Sequence, residues 1–477
     1  VEIAKKNIFN IFIIIGWVLL IPAIAYIGAQ EVKYIALLIG LVIGTTVAAI
    51  SILNYRAGYF ISCTVALTVR LLERMSGTEI PVGVLIDAIL LITLLGSLLK
   101  AGDDSIKKVN FLRDPVLITF YIYGGYILLQ FFNPAFVYDR HGWTTFARVF
   151  VRNMIFMYLV MKMIRNMNDL KVFLKFWIII LTAAAFYACI QQWFGLMPFE
   201  KAYIAKYPEK FKTVIILTGI RIFSFVSDPA VFGVIMACGC IINIVLLTSS
   251  NKMISVSKKV FLLVSLALQF MALGFSGTRT AYIMVPMGLI MMLFVNLRNR
   301  NTVIGALVFV FAFLVLMFGP FHGNTTVIRM RTAFSGSEDA SLNVREVNRH
   351  RIQPYIYSHP IGGGFLSCEP GSGGELDGFP PDSGYLRTAL EQGWIGLLLI
   401  MVNIYLVMQY MVANYFASRT EMEKQFTLVI LCVMFALVVS IYAQESSGLI
   451  ESALLYYALN GISIKLKYLL SSPNITT

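Results

Sequence analysis

The chain has 477 residues, of which 58% are hydrophobic and 13% charged, with a formal charge of +13 and a mean hydropathy of +0.79. Length alone would fit roughly three soluble domains; the hydropathy excludes them and calls for an all-α polytopic membrane protein. The basic excess reads as a topology signal, because Lys and Arg concentrate in the cytoplasmic loops of such proteins. There is no zinc-ligand spacing and no basic helix with interleaved aromatics, so nucleic acid is not an expected partner.

At about 20 apolar residues per span, helices are expected near 8–28, 33–53, 57–72, 80–100, 115–133, 144–163, 171–195, 229–249, 258–276, 279–297, 302–321, 393–414, 424–443 and 446–463. That makes about 14 spans, with 12 as the lower bound. The first has no small-residue cleavage site and reads as a retained span. The third is short and followed by Arg70 and Arg74; it is either a span or an interfacial piece, and parity favours a span. With Lys5 and Lys6 cytoplasmic, the short loops on that side carry Lys100, Lys107, Lys108, Arg113, Lys162, Arg165, Lys171, Lys175, Lys252, Lys258, Lys259, Arg298, Arg300, Lys465 and Lys467, as the positive-inside rule requires.

The resulting organisation is 1–195 transmembrane, 196–228 an external loop, 229–321 transmembrane, 322–392 a long external loop and 393–477 transmembrane. The 276–279 hairpin falls on the same external face as both loops. Five cysteines lie in apolar segments and only Cys368 in a polar loop, so no disulfide framework is expected. The long loop has room for a helix or two, on which Arg345 and Arg349 share a face at i,i+4. Its last part, from 358, is a Gly/Pro-rich stretch bearing Glu375, Asp377 and Asp382, which turns near Tyr385 into a helix apolar enough to enter a bilayer.

Arginine in or beside a span costs about 2.5–3.5 kcal/mol and needs a partner or a task. Arg221 closes the first external loop just before Asp228-Pro229, which reads as a helix N-terminal turn. Arg279 sits in a hairpin too short to leave the headgroups. Arg148 and Arg152 lie one turn apart on the outer half of the sixth span. Each either snorkels to lipid phosphate or helps to gather a phosphorylated lipid head, which the guanidinium fork binds bidentately.

Four stretches resemble the bacterial O-antigen polymerase/ligase (Wzy/WaaL-like) family of membrane glycosyltransferases. His359-Pro360-Ile361-Gly362-Gly363-Gly364 resembles that family's Asn-Pro-Leu-x-Gly-x-Gly. Asp382-Ser383, nine residues and Gly393-Trp394-Ile395-Gly396 resemble its His-Asn/Ser element, with Asp in the place of His. FSGTRTAYI resembles its Ser-Arg-Gly turn. RIFSFVSDPAVFG resembles Arg-x-x-Gly-x-Phe-x-Asn-Pro-Asn, departing at Ser224 and at Asp228-Pro229-Ala230. The resemblance covers roughly 215–400.

It implies a GT-C-like bundle in the bacterial inner membrane, with a periplasmic catalytic loop, a polyprenyl-pyrophosphate-linked oligosaccharide donor and a glycan acceptor that is lipid-linked or lipid A core. It leaves room for a chain-length regulator protein as partner, and for no cofactor and no metal. By this reading Arg221 and Arg279 neutralise the leaving pyrophosphate and Asp382 is the base on the acceptor hydroxyl, with Glu375 and Asp377 in reserve. Arg148, Arg152, Arg345, Arg349 and Arg387 are candidate substrate contacts; the last three equally suit pairing within the loop. His359 reads as a loop residue. The Asp at the ligase histidine position favours polymerase over ligase, and a polysaccharide transporter or flippase is the reading from another class.

Overall fold

The computed structural model describes residues 32–471 apart from 101–108, 136–140, 217–218, 250–252, 299, 321–322, 324, 333–339, 380, 382 and 446–447. The span expected near 8–28 and Asp382 lie outside the described residues. The chain is an all-α polytopic membrane protein. Its N-terminal part consists of α1 (Val32–Leu53), α2 (Tyr55–Ser76), α3 (Val82–Leu99), α4 (Pro115–Gln130), α5 (His141–Met163) and α6 (Met167–Phe194). The segment after α6 folds as α7 (Pro198–Lys206), α8 (Pro208–Val214) and a two-residue antiparallel pair, β1 (Ile215–Ile216) with β2 (Gly219–Ile220). Then come α9 (Pro229–Leu247), α10 (Val256–Ser276), α11 (Arg279–Asn296) and α12 (Arg300–Phe318). The long loop holds α13 (Thr325–Thr332) and α14 (Ala340–Ser358), and α15 (Gly384–Ala417), α16 (Glu421–Ala443) and α17 (Ile450–Ser471) complete the chain.

Among the described residues, α3, α5, α6, α9, α10, α11, α15 and α16 are long and apolar enough to cross a membrane. Side-chain caps mark where they start. Asn166 accepts from the backbone of α6, Asp228 caps α9 with Pro229 at the first helical position, and Thr420 with Glu423 forms a capping box on α16. The most enclosed helix is α9, buried over 89% of its apolar window. Its glycines let neighbours approach: a Cβ on Gly233 would stand 2.7 Å from Thr278, and one on Gly239 2.4 Å from Gln269.

The bundle has two chemically different ends. At one, Lys162 of α5 reaches the Ser97 carbonyl, Arg56 of α2 pairs with Asp169 of α6 at 3.0 Å, and Lys467 of α17 lies 3.6 Å from Asp114 before α4. At the other, Arg74 near the end of α2 donates to the carbonyls of Ser224 and Val226, just ahead of α9. Helix α2 therefore runs from the basic end to the opposite one, although it is not among the helices long and apolar enough to cross a membrane. It is longer than 57–72 at both ends.

The opposite end is organised by a break in α15. The helix continues through Gly384–Ala417 except at Gly393, where φ is 69° and ψ −167°. The carbonyls freed there are taken up by the glycine-rich turn that follows α14. Gly363 N donates to Leu390 O at 2.8 Å and Gly364 N to Glu391 O at 2.9 Å, while Trp394 N donates to Pro360 O at 2.9 Å. From α4 and just beyond it, Gln130 donates to Ile361 O at 2.8 Å and Asn133 to Gly362 O at 3.1 Å. A broken helix is tolerated at membrane depth when other groups satisfy its backbone in this way. Gly393 is thus required for its backbone and not only as a small residue for helix packing. The helix is capped by Ser383, whose hydroxyl accepts from Leu386 N at 3.4 Å.

A Cβ at Gly393 would lie 2.0 Å from Pro360 O. Gly393→Ala is therefore expected to lower stability by more than the about 1–3 kcal/mol of backbone strain alone, seen as a reduced Tm of the detergent-solubilised protein. A wild-type Tm would contradict the interlock.

Candidate active site

At this end a cavity of about 390 Å³ is lined by Arg221, Gly277, Thr278, Arg279 and Thr280, by Ala230, and by Pro381, Ala443, Gln444 and Glu445. Two arginines singled out in the sequence therefore share one cavity, and its wall includes the residue immediately before Asp382. The starts of α9 and α11 both reach it, through Ala230 and Arg279-Thr280, and helix N-termini favour anions. Gln444 adds a side-chain amide nitrogen that is buried with no hydrogen-bond partner among the described residues.

Arg221 is fixed by its surroundings. Its Nε donates to Ser276 O at 3.0 Å, Nη1 to Thr213 O at 3.2 Å and Nη2 to Thr278 Oγ1 at 3.2 Å. Gly277, at φ +62°, lets the α10–α11 hairpin pass close by: a Cβ there would lie 3.2 Å from Arg329 Nη1 and 3.3 Å from Arg221 Cγ. Arg329 of α13 is therefore a third guanidinium beside the cavity. Burial pushes the Arg221 guanidinium below its ordinary pKa; Asp228 and Tyr282 oppose this, and the like charges of Arg329 and Arg279 reinforce it. Such a cluster becomes more favourable when an anion enters.

The segment from Arg221 to Asp228 is held by buried polar contacts. Ser224 has φ 53°, the left-handed region that a glycine adopts without strain, and it stands where the resembled motif has glycine. Its N–H donates to Gln191 Oε1 at 2.8 Å and its hydroxyl to Ala184 O at 2.7 Å. Arg74 is 3% exposed, lies 4.4 Å over the Phe223 ring and accounts for the Ser224 carbonyl at 2.7 Å.

Arg387, expected as a substrate contact, is surrounded by carboxylates. It binds Glu391 at 2.9 Å on its own helix, Glu369 at 2.6 Å in the loop, and Glu445 after α16. It clasps the loop to two helices and fixes Glu445 in the cavity wall. Arg148 and Arg152 share Asp87 of α3, at 3.4 and 3.6 Å, away from this cavity. Arg349 reaches Tyr442 at the end of α16, with a 2.9 Å hydrogen bond and its guanidinium 4.9 Å from the ring. Arg345 lies four residues earlier on α14. Asp377 accepts from Gly371 N at 2.7 Å and Gly373 N at 3.1 Å, shaping the loop. Glu375 and His359 line a different cavity.

Arg329, Gln444 and Glu445 were not identified by sequence reasoning. The signal for Glu445 is its place in the chain, an acid just past an apolar helix; Arg329 has no spacing that sets it apart from the other arginines of its loop. Chemically, the cavity joins a cationic floor able to hold a phosphate to a carboxylate wall able to accept a proton. Residues 262–401 match the Wzy_C family model, described as O-antigen ligase. Comparison with curated proteins gives no match.

Removing the Arg387 guanidinium would leave Glu391, 2% exposed, without its cation. Arg387→Ala is expected to cost about 3–5 kcal/mol, read as a lower Tm and faster proteolysis between 359 and 383. Adding Glu391→Gln should recover part of the loss. An unchanged Tm in the single variant would remove the clasp from the account.

Proposed function

From a chain that carries an O-antigen polymerase/ligase-type region over 262–401, we propose a membrane glycosyltransferase that moves a glycan from polyprenyl pyrophosphate to a sugar hydroxyl of an acceptor, in the manner of a polymerase. The observation that carries this reading is the shared cavity of Arg221 and Arg279 with Glu445 and Pro381 in its wall. The basic end of the bundle is cytoplasmic by the positive-inside rule. The cavity then opens on the periplasmic face of the inner membrane, where no nucleotide-activated sugar is at hand and the lipid-linked donor brings its own leaving group.

The two arginines neutralise the pyrophosphate as the bond from its oxygen to the anomeric carbon breaks, so the leaving group departs without a general acid. The acceptor oxygen forms the new bond to that carbon and gives its proton to a carboxylate. Asp382 is assigned this task, and Glu445, the described carboxylate of the cavity, is its alternate. Asp in the place of the ligase histidine favours a lipid-linked glycan as acceptor over lipid A core, and the bundle needs no cofactor in this scheme.

Arg221→Ala and Arg279→Ala are each expected to lower glycan transfer by about 100-fold or more, with expression and Tm retained. Asp382→Asn should do the same; if Glu445→Gln abolishes transfer while Asp382→Asn does not, the base is Glu445. The assay is purified protein with lipid-linked oligosaccharide, read by mass spectrometry, with a second lipid-linked unit or lipid A core as acceptor. Wild-type rates in both arginine variants, or movement of lipid-linked glycan without a new linkage, would overturn the proposal.

A further inference from the structure

Arg387 offers one terminal nitrogen to Glu445, in the wall of the arginine cavity, and the other to Glu369, in the wall of a second cavity of about 360 Å³. We propose that this second cavity is a sugar-binding subsite for the acceptor glycan, taking a neutral or amino sugar ring. The acceptor role rests on the glycan-transfer reading above; the sugar chemistry rests on the cavity itself.

The volume falls in the range of small-molecule sites, about 300–1,000 Å³. Tyr355 and His359, both half-buried, stack with ring centroids 3.9 Å apart and planes 10° from parallel. Such rings offer flat apolar surface to the C–H face of a pyranose. Polar groups that suit hydroxyls stand beside them. Glu369 and Glu375 bring carboxylates that accept hydrogen bonds, and the Ser367 hydroxyl is buried with no hydrogen-bond partner among the described residues. Burial pushes the Tyr355 hydroxyl up to about 12, with Glu375 adding to the effect, so it remains a donor at neutral pH.

The walls are formed in advance. Gly371 and Gly373 N–H groups are held by Asp377, Ser372 Oγ donates to Ser367 O at 2.7 Å, and Leu376 and Cys368 are pinned at 2% and 4% exposure. Preorganisation of this kind lowers the cost of ordering on binding. Two carboxylates disfavour phosphate or an acidic sugar, which separates this cavity from the cationic one across Arg387. A donor pyrophosphate on one side and an acceptor sugar on the other would approach each other at the Glu445 wall.

The test uses the full chain in detergent and saturation-transfer NMR with free hexoses, N-acetylhexosamines and glucuronic acid as probes, and inorganic pyrophosphate as the anionic arm. Neutral sugars should bind the wild type, with at least tenfold weaker binding in Glu375→Gln and Tyr355→Phe and unchanged binding in Arg279→Ala. Pyrophosphate should show the reverse pattern. In the transfer assay Glu375→Gln should raise the acceptor KM at least tenfold and leave the donor KM unchanged. Glu375 is exposed and outside the core, so its variant folds if the account of the loop is right, and its Tm is recorded alongside. Sugar binding indifferent to Glu375, or lost equally in Arg279→Ala, overturns the subsite. A wild-type transfer rate in Arg279→Ala fails the donor reading, whereas an unchanged acceptor KM in Glu375→Gln fails this one.

Discussion

The break in α15 at Gly393 is the constraint on which the cavity end of the bundle depends. A backbone that leaves helical geometry near the apolar layer has to find new hydrogen-bond partners, since none come from lipid. Here they come from Pro360, Gly363 and Gly364, so two stretches distant in sequence become one unit joined backbone to backbone. The glycines of both follow from this contact: a Cβ at Gly362 would stand 2.5 Å from the Gly393 nitrogen. Once that joint is set, Arg387 lies where it meets Glu369 and Glu445, and Pro381 reaches the cavity wall.

The molecule handles buried arginine in two ways, and the contrast separates scaffold from site. Arg74 and Arg387 are matched within the protein, the first by carbonyls and an aromatic face, the second by three carboxylates. Arg221 instead donates to three neutral oxygens, and Asp228, Arg329 and Arg279 are the charges in its field. Clustering like charges at two helix N-termini disfavours the empty cavity and favours one that holds an anion.

Periodic apolar segments made the helical class and most span positions legible, because a bilayer imposes length and hydropathy directly. Local chemistry was legible too: Asp228-Pro229 starts α9, and the glycine-rich turn and Gly393 were visible as motifs. What could not be read was pairing at long range. Asp87 as the partner of Arg148 and Arg152, Glu445 opposite Arg387, and Arg329 beside Arg221 join residues from distant parts of the chain that no spacing rule connects. Ser224 is intermediate. As a letter it breaks the resembled motif, yet its backbone adopts the conformation a glycine would take, and two side-chain hydrogen bonds and Arg74 hold it there.

Under the proposed glycan transfer, Asp at 382 in place of the resembled family's histidine has a chemical consequence. A carboxylate with an ordinary pKa near 3.9 is a weak base at neutral pH, so it can serve only if the step asks little of it. Cations that stabilise the departing pyrophosphate let bond breaking lead, and the attacking hydroxyl becomes acidic as its oxygen bonds to an electron-poor anomeric carbon. The proton then moves late, to a nearby acceptor of modest basicity. Under the proposed transfer, the more completely Arg221, Arg279 and the helix N-termini would neutralise the leaving group, the weaker the base that would suffice, so a cationic cavity and a carboxylate in place of histidine would belong to one design.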